Sequence, residues 1–172
     1  IEGYGPLGET VFAAVWNGRE LHVRMPGEAS FVQTGPWAFE RLLGFTFAPA
    51  ELAAVLSGNI PPIPAGGQTR AGCSQDSRCI VDIRTDDGFW RARVAKTDHF
   101  RIESGERYRG DELLYTARFN VQEPVGGYLL PKHITVENSE RYASIMIDYQ
   151  DVEVNVPVED SVFQLNGAET VQ

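Results

Sequence analysis

Runs of alternating apolar and polar residues, separated by turn residues, constrain the fold of this chain more than any other feature. Two such runs, Ile80 to Thr85 and Phe89 to Ala95, flank Asp86-Asp87-Gly88, which is typical of a tight hairpin turn. A period of two places successive side chains on opposite faces of a strand. We count about ten such strands, and their regular spacing predicts a mainly β, antiparallel sandwich or barrel.

The first strands are predicted to form a meander. Residues Glu9 to Trp16 carry apolar side chains on both faces, which predicts a strand that is covered on both sides. Asn17-Gly18 follows, and this dipeptide is a strong signal for a two-residue hairpin. The return strand alternates from Leu21 to Met25, and a Pro26-Gly27 turn leads into a third strand from Ala29 to Gln33.

Helical spacing replaces the alternation after this meander. Pro36 to Leu43 and Pro49 to Ser57 each begin with proline, carry apolar residues three and four positions apart, and are followed by glycine. They predict two short helices inserted between strands. Glu51 lies in the first turn of the second helix, where a carboxylate favours the helix dipole; a buried acid is the alternative.

The remaining segments complete the predicted domain, which spans residues 1–172 as a single unit. The glycine- and serine-containing stretch from Ala65 to Arg78 predicts a surface loop. Phe100 to Glu103 and Arg107 to Arg109 predict two short strands on either side of Ser104-Gly105. Four later strands are predicted from alternation over Leu114–Val121, Ile134–Val136, Ala143–Tyr149 and Val152–Val156.

Two cysteines, Cys73 and Cys79, lie in the predicted loop with five residues between them. We expect a disulfide between them, which implies an oxidising compartment; two free thiols and a metal site are the alternatives. A zinc site needs about four ligands, and the sequence has no second cysteine pair, with His99 as the nearest histidine. We therefore predict no metal.

The charge of the chain weighs against nucleic acid as a partner. The formal net charge is −9, from 24 acidic and 15 basic residues. Phosphate backbones repel such a chain. The sequence contains no basic stretch interleaved with aromatic residues that would oppose this conclusion. We therefore predict no nucleic-acid partner.

Catalytic motifs are missing from the sequence. It contains no Gly-x-Ser-x-Gly motif, and its three histidines, His22, His99 and His133, lie on separate predicted strands or loops. The glycine-rich stretch from Pro64 to Gly72 lacks the Lys-Ser/Thr ending of a phosphate-binding loop. Asp86-Asp87 suits a turn better than a calcium site. We predict that the protein is not an enzyme and needs no cofactor.

Large apolar side chains crowd the segment around the predicted helices. The aromatic members are Phe31, Trp37, Phe39, Phe45 and Phe47, joined by leucines of both helices. These side chains either fill a core beneath the sheet or line a cavity for an acyl chain, since ligand pockets are mostly apolar with few polar groups. The sequence is compatible with both interpretations.

Three stretches resemble LolB-like bacterial outer-membrane lipoproteins. Gly5-Pro6-Leu7-Gly8 leads into an apolar strand, as in the first strand of that family. Phe39 to Ile63, with Leu-Leu-Gly, then PAELAAVLSG and an Ile-Pro ending, is similar to the family's helical lid. Leu130-Pro131-Lys132, Asn155-Val156-Pro157 and Phe163-Gln164-Leu165 are similar to its closing strands.

The resemblance implies an unclosed antiparallel β-barrel with a two-helix lid after the first meander. It also implies an apolar cavity for acyl chains, as in LolA, LolB and LppX-type proteins. A cleaved signal peptide and a lipidated cysteine are expected upstream of Ile1, at the periplasmic face of the outer membrane of a Gram-negative cell. The residues expected to line the cavity or form the lid are Trp16, Phe31, Phe39, Leu43, Phe47, Leu52 and Leu56.

The predicted function is that of a periplasmic lipoprotein domain, a monomer, that binds or shuttles acyl chains. Its expected partners are a lipid or an acylated protein, and the membrane surface through an upstream lipid anchor. The alternative is a non-catalytic envelope protein whose packed core docks onto a protein assembly. The chain departs from the LolB pattern in its Cys73–Cys79 loop, and we assign no exposed apolar loop residue of the kind that LolB inserts into a membrane.

Overall fold

The computed structural model contains two antiparallel sheets, with a short helical segment between them in the chain. It describes residues 2–4, 7–16, 20–27, 31–34, 39–63, 67–96, 100–138 and 142–163. Within each sheet the strands are neighbours in the order of the sequence, so both sheets are meanders. The prediction of a mainly β, antiparallel fold is confirmed.

The smaller sheet consists of β1 (Glu2–Tyr4), β2 (Thr10–Trp16), β3 (Glu20–Arg24) and β4 (Phe31–Thr34). The larger sheet consists of β5 (Thr69–Cys73), β6 (Arg78–Arg84), β7 (Gly88–Ala95), β8 (Arg101–Arg109), β9 (Glu112–Val125), β10 (Tyr128–Asn138) and β11 (Ala143–Asp148). The helical elements are a single turn, α1 (Glu40–Leu43), a helix of eight residues, α2 (Pro49–Leu56), and a 3-10 helix at Asp160–Phe163.

The smaller sheet contains the predicted meander and one strand more, β1, which pairs with β2. Trp16 pairs with Leu21 across the β2–β3 hairpin. Asn17 and Gly18, which are expected to turn this hairpin, lie outside the described residues, as do residues 36–38 at the start of the first predicted helix. The described part of that helix is the single turn α1.

The hairpin of β6 and β7 forms where the sequence predicts it. Arg84 at the end of β6 pairs with Phe89 at the start of β7. Alternation then places Ile83 and Trp90 on the core face, where both are buried, and Asp82 on the outer face. Local turn chemistry and period-two patterning agree here with the final packing.

Strand β8 corrects the prediction of two short strands around Ser104-Gly105. It continues without a break from Arg101 to Arg109. Gly105 is not a turn residue: a Cβ built at this position would lie 1.9 Å from Cζ3 of Trp90. The buried indole occupies that space, so glycine is required here for close packing in the middle of a strand.

Strand β5 corrects the prediction of a loop from Ala65 to Arg78. Thr69–Cys73 pairs with β6 along its whole length, and Cys73 lies opposite Cys79. The structure joins these cysteines in a disulfide, with their Cα atoms 4.0 Å apart. The composition of this stretch suits a loop, but the neighbouring strand supplies hydrogen bonds that hold it extended, so pairing overrides propensity.

The segment from Val152 to Val156 is not a strand, although its sequence alternates. Just after β11, the backbone amide of Tyr149 donates one more hydrogen bond, to the carbonyl of Lys132 at 2.9 Å. Asn155 then adopts a φ of +58°, which interrupts an extended run. The strand prediction is wrong because alternation does not say whether a partner strand is within reach.

One hydrophobic core joins both sheets and the helical segment. At its centre, the rings of Phe45 and Phe47 stack 5.7 Å apart, and Phe47 lies 4.8 Å from the ring of Tyr115. Trp90 meets Tyr115 edge to face at 6.2 Å. These four aromatic side chains are almost fully buried and fill the space between the helical segment and the larger sheet.

Candidate functional site

A second, open space lies between the smaller sheet and α2. This groove has a volume of about 230 Å³, and strands β2 and β3 form one wall while one face of α2 forms the other. The lining is Ala14, Val15, Trp16, Leu21, Phe39, Pro49, Leu52, Ala53, Leu56 and Phe163. All of these side chains are apolar, so the groove suits hydrocarbon better than a polar ligand.

Four of the seven predicted cavity residues line this groove: Trp16, Phe39, Leu52 and Leu56. The rings of Trp16 and Phe39 lie 6.1 Å apart at one end. The sequence placed these residues on one strand and on two helices, with Phe39 inside the first helix. In the structure Phe39 lies just before α1, and tertiary packing brings the four residues to one site.

The other three predicted residues are placed differently. Phe47 is buried in the aromatic cluster with Phe45 and Tyr115 and belongs to the core. Leu43 is partly buried and packs against the same core. The backbone of Phe31 lies in β4, but its side chain lies outside what the structure describes.

Helix α2 forms where the sequence predicts it, and it contributes side chains to both the groove and the packed core. Pro49 opens the helix, and the carboxylate of Glu51 accepts a hydrogen bond from the backbone amide of Ala48 at 3.1 Å. Leu52 and Leu56 line the groove, whereas Glu51 contacts the larger sheet. The helix therefore presents one side to each sheet.

Three contacts hold α2 to the larger sheet. Arg107 of β8 donates from Nε to Oε1 of Glu51 at 2.7 Å. The hydroxyl of Tyr149 donates to the carbonyl of Leu56 at 2.8 Å. Gly58, just after the helix, adopts a φ of +68°, and a Cβ built there would lie 2.5 Å from the ring of Pro131. These contacts fix the helix at both ends.

Arg107 is a buried cation with two acidic partners. Its Nη2 atom lies 2.5 Å from Oδ1 of Asp87, and its Nη1 donates to the carbonyl of Tyr108. Burial alone would lower the pKa of Arg107, but the hydrogen bond to Asp87 and the charge of Glu51 raise it. The guanidinium therefore stays charged, and its burial is tolerated only because both carboxylates are in place.

Two buried polar atoms near this ion pair, Nε1 of Trp90 and the hydroxyl of Tyr115, lie close enough to interact with each other but make no hydrogen bond of standard geometry with the described residues. Burial, followed by the charge of Glu51, holds the pKa of Tyr115 well above its usual value. The phenol is therefore neutral at physiological pH. Both atoms belong to the packed core and not to the groove.

Sequence reasoning missed Arg107, which holds α2 to the larger sheet. It also missed six residues of the groove lining: Ala14, Val15, Leu21, Pro49, Ala53 and Phe163. Arg107 lies on the same face of β8 as the buried Gly105, two positions earlier. A prediction of one continuous strand through Gly105 would have indicated that Arg107 faces inward. Ala53 follows Leu52 and faces the groove although it is exposed. Phe163 reaches the groove from the 3-10 helix, and no local signal in the sequence predicts that contact.

Hydrogen bonds of the histidines give no sign of a catalytic group in the described part of the chain. His133 pairs with Asp148 on the exposed outer face of the larger sheet, and Nε2 of His22 lies 3.3 Å from Oε2 of Glu20. Neither histidine is hydrogen-bonded to a serine, threonine or cysteine there, which a catalytic triad requires. His99 lies outside the described residues.

Comparisons with known proteins return no match to this chain, whether with family models, curated proteins or solved structures. The resemblance to LolB-like lipoproteins therefore stays a prediction. Among the described residues, no group of three or more histidine, cysteine, aspartate or glutamate side chains could hold a metal ion. Over the same residues, every helix is too short or too polar to cross a membrane.

Proposed function

We propose that this protein is a periplasmic lipoprotein domain that binds an acyl chain in the groove between the smaller sheet and α2. The observation that carries the proposal is that only apolar side chains line the groove, where Trp16, Phe39, Leu52 and Leu56 come together. In this proposal the two sheets form an unclosed barrel, and α1 and α2 form its lid. The bound acyl chain would be part of a lipid or of an acylated protein.

The groove is large enough for part of one acyl chain but not for a whole lipid. Its volume of about 230 Å³ is below the roughly 300–1,000 Å³ that is usual for pockets of drug-sized ligands. Each buried methylene contributes about 0.8 kcal/mol, so six methylenes would contribute about 5 kcal/mol before the cost of association. Such binding is readily reversible, which suits a protein that hands its ligand on.

The anchored helix supports the same proposal. Because Glu51 is bound to Arg107 on one side of α2, Leu52 and Ala53 are held toward the groove on the other side. A lining that is fixed before binding costs less ordering entropy when a ligand enters.

The proposed location is the periplasmic face of the outer membrane, through a lipid anchor upstream of Ile1, and the proposed state is a monomer. The disulfide between Cys73 and Cys79 fits an oxidising compartment of this kind. Fractionation of cells that express the full-length protein tests this part of the proposal, and recovery in the cytosol would contradict it.

Two alanines of α2 allow a matched test of the groove. Ala50 and Ala53 are both exposed, but only Ala53 lines the groove. In Ala53→Phe a ring of six carbons enters this open groove, and the displacement of about two methylenes of the ligand costs about 1.6 kcal/mol. We therefore expect a fluorescent fatty-acid probe to bind about tenfold more weakly to Ala53→Phe, and with unchanged affinity to Ala50→Phe.

Native mass spectrometry of the protein purified from its own cell envelope completes this test. A co-purifying lipid that Ala53→Phe loses and Ala50→Phe retains would support the proposal. A folded wild-type protein that carries no lipid and binds no probe would contradict it. Equal weakening by both variants would show an effect on the helix and also count against the groove.

The second candidate function is that of an envelope protein that docks onto a protein assembly through a solid domain. The rings of Phe45, Phe47, Trp90 and Tyr115, which fill the space under the larger sheet, favour it. The two candidates differ in the probe assay, because a solid domain binds no fatty acid.

A further inference from the structure

The outer face of the larger sheet carries a recess that an acyl-chain groove does not explain. The recess has a volume of about 360 Å³. Its walls include Arg84 and Phe89, which alternate along their strands with the buried residues Ile83 and Trp90. The recess therefore lies on the opposite side of the sheet from the core and the groove.

An aromatic wall and two glycines shape this recess. The ring of Phe89 stacks on the ring of Tyr108 at 4.4 Å, with the planes 10° apart. Gly88 and Gly110 lie at the recess and contribute no side chains to fill it. A Cβ built at Gly88 would lie 2.1 Å from the carbonyl oxygen of Tyr108, so the backbone needs glycine there. The guanidinium of Arg91 lies over the same Phe89 ring, so the result is a concave space beside a set of stacked planar groups.

The charges around the recess are unevenly matched. Arg91 donates from Nε and Nη2 to both carboxylate oxygens of Asp82, at 2.8 and 2.9 Å, and Arg70 pairs with Asp82 in the strand register. Arg84 has no side-chain partner in the part of the chain that the structure describes, and Asp111 adds a second carboxylate. Three guanidinium groups thus face two carboxylates, which leaves about one positive charge near Arg84.

We infer that this recess binds a small organic carboxylate with a flat apolar body, such as an aromatic acid. The guanidinium of Arg84 donates to the carboxylate, because its planar fork matches carboxylate geometry. The flat body lies against the planar guanidinium of Arg91, which itself lies over the ring of Phe89 with its Cζ 5.4 Å from the ring centroid, since a guanidinium stacks on flat aromatic groups. A single surplus charge in a chain of net charge −9 favours a monoanion over a polyanion, and the volume is within the usual range for small ligands.

Titration with benzoate, followed by two-dimensional NMR of the labelled wild-type protein, tests this inference. We expect saturable shifts at the amides of Gly88 and Gly110 and at the side-chain NεH of Arg84. Acetate, which lacks the ring, and inorganic phosphate, which lacks the flat body, should bind at least about tenfold more weakly.

Two variants and a matched control locate the binding. Arg84→Gln should weaken benzoate binding about tenfold or more. Arg78→Gln, which removes the same charge from the same strand and face but outside the recess, should leave it unchanged. Phe89→Leu should weaken benzoate but not acetate. The dispersion of the amide spectrum shows whether each variant is folded.

Several results would overturn the inference: shifts that do not saturate, equal affinity for benzoate, acetate and phosphate, or a folded Arg84→Gln variant that binds benzoate as the wild type does. Ala53→Phe should not change benzoate binding, because the groove lies on the other side of the sheet. The failure of one site is therefore distinguishable from the failure of the other.

Discussion

The Nε atom of Arg107 donates a hydrogen bond to Oε1 of Glu51 over 2.7 Å, and this contact joins the larger sheet to the helix that lines the groove. The two side chains are only 7% and 12% exposed. The loss of one partner of a buried ion pair destabilises a fold, because the remaining charge stays buried with less compensation. The position of α2 therefore depends on both residues.

Replacement of this acid tests that dependence. We expect Glu51→Gln to lower the free energy of unfolding by about 2–4 kcal/mol, toward the low end because Asp87 still pairs with Arg107. Urea denaturation at pH 7, followed by circular dichroism, measures the change. Glu137→Gln is the control: it breaks the exposed pair with Arg118 and should cost less than about 1 kcal/mol. Equal losses in the two variants would contradict the argument.

Gly105 and Gly72 provide a matched pair of strand glycines. A Cβ at Gly105 would collide with the ring of Trp90, whereas a Cβ at Gly72 would meet nothing within 4 Å. We expect Gly105→Ala to destabilise the protein by about 1–3 kcal/mol through overpacking, and Gly72→Ala to change its stability by less than about 0.5 kcal/mol. Urea midpoints measure both, and a neutral Gly105→Ala would show that the indole has room to move.

The disulfide should stabilise the edge of the larger sheet. It closes a loop between Cys73 and Cys79, and loop-closure entropy predicts a loss of about 2 kcal/mol when both cysteines become alanine. Because Thr69–Cys73 is exposed and pairs on one side with β6 alone, we expect faster amide hydrogen exchange there and unchanged protection in β8 and β9. Unchanged exchange in β5 would contradict this prediction. Reduction of the wild type should reproduce the effect of the substitutions.

Asp82 should make stability depend on pH at the acid end. The hydrogen bond from Arg91 is the main cause that lowers the pKa of Asp82 below its usual value. A carboxyl whose pKa is lower in the folded state stabilises the protein above its unfolded pKa of about 3.9, and this contribution disappears as the pH falls through the folded value.

The half-exposed pair contributes about 0.5–1 kcal/mol. Asp82→Asn should therefore be less stable than the wild type by that amount at pH 7, and about equal to it near pH 2. Urea titrations at the two pH values measure the difference. A deficit for Asp82→Asn that stays constant between the two pH values would refute the linkage.

Local signals predicted the elements that depend on residues close in sequence. Asp86-Asp87-Gly88 predicted the β6–β7 hairpin, and Pro49 with Gly58 predicted α2 almost to the residue. Alternation in β6 and β7 agrees with the buried positions of Ile83 and Trp90. In these cases the residues that form the turn, the helix ends and the alternating pattern lie within a few positions of one another in the sequence.

The other features of the fold and of the groove depend on contacts between residues that are distant in the sequence. The stretch with a loop-like composition forms β5 because it pairs with β6. Glycine is required at position 105, in the middle of a strand, because the indole of Trp90 occupies the space that a Cβ would need. The same reasoning separates two similar phenylalanines: Phe39 lines the groove, while Phe47 is enclosed by Phe45 and Tyr115. The sequence by itself determined that these side chains would leave water, because hydrophobicity is a property of each residue. Only the tertiary structure decided whether a ring meets another side chain or an open space, because that depends on which distant strand or helix packs against it.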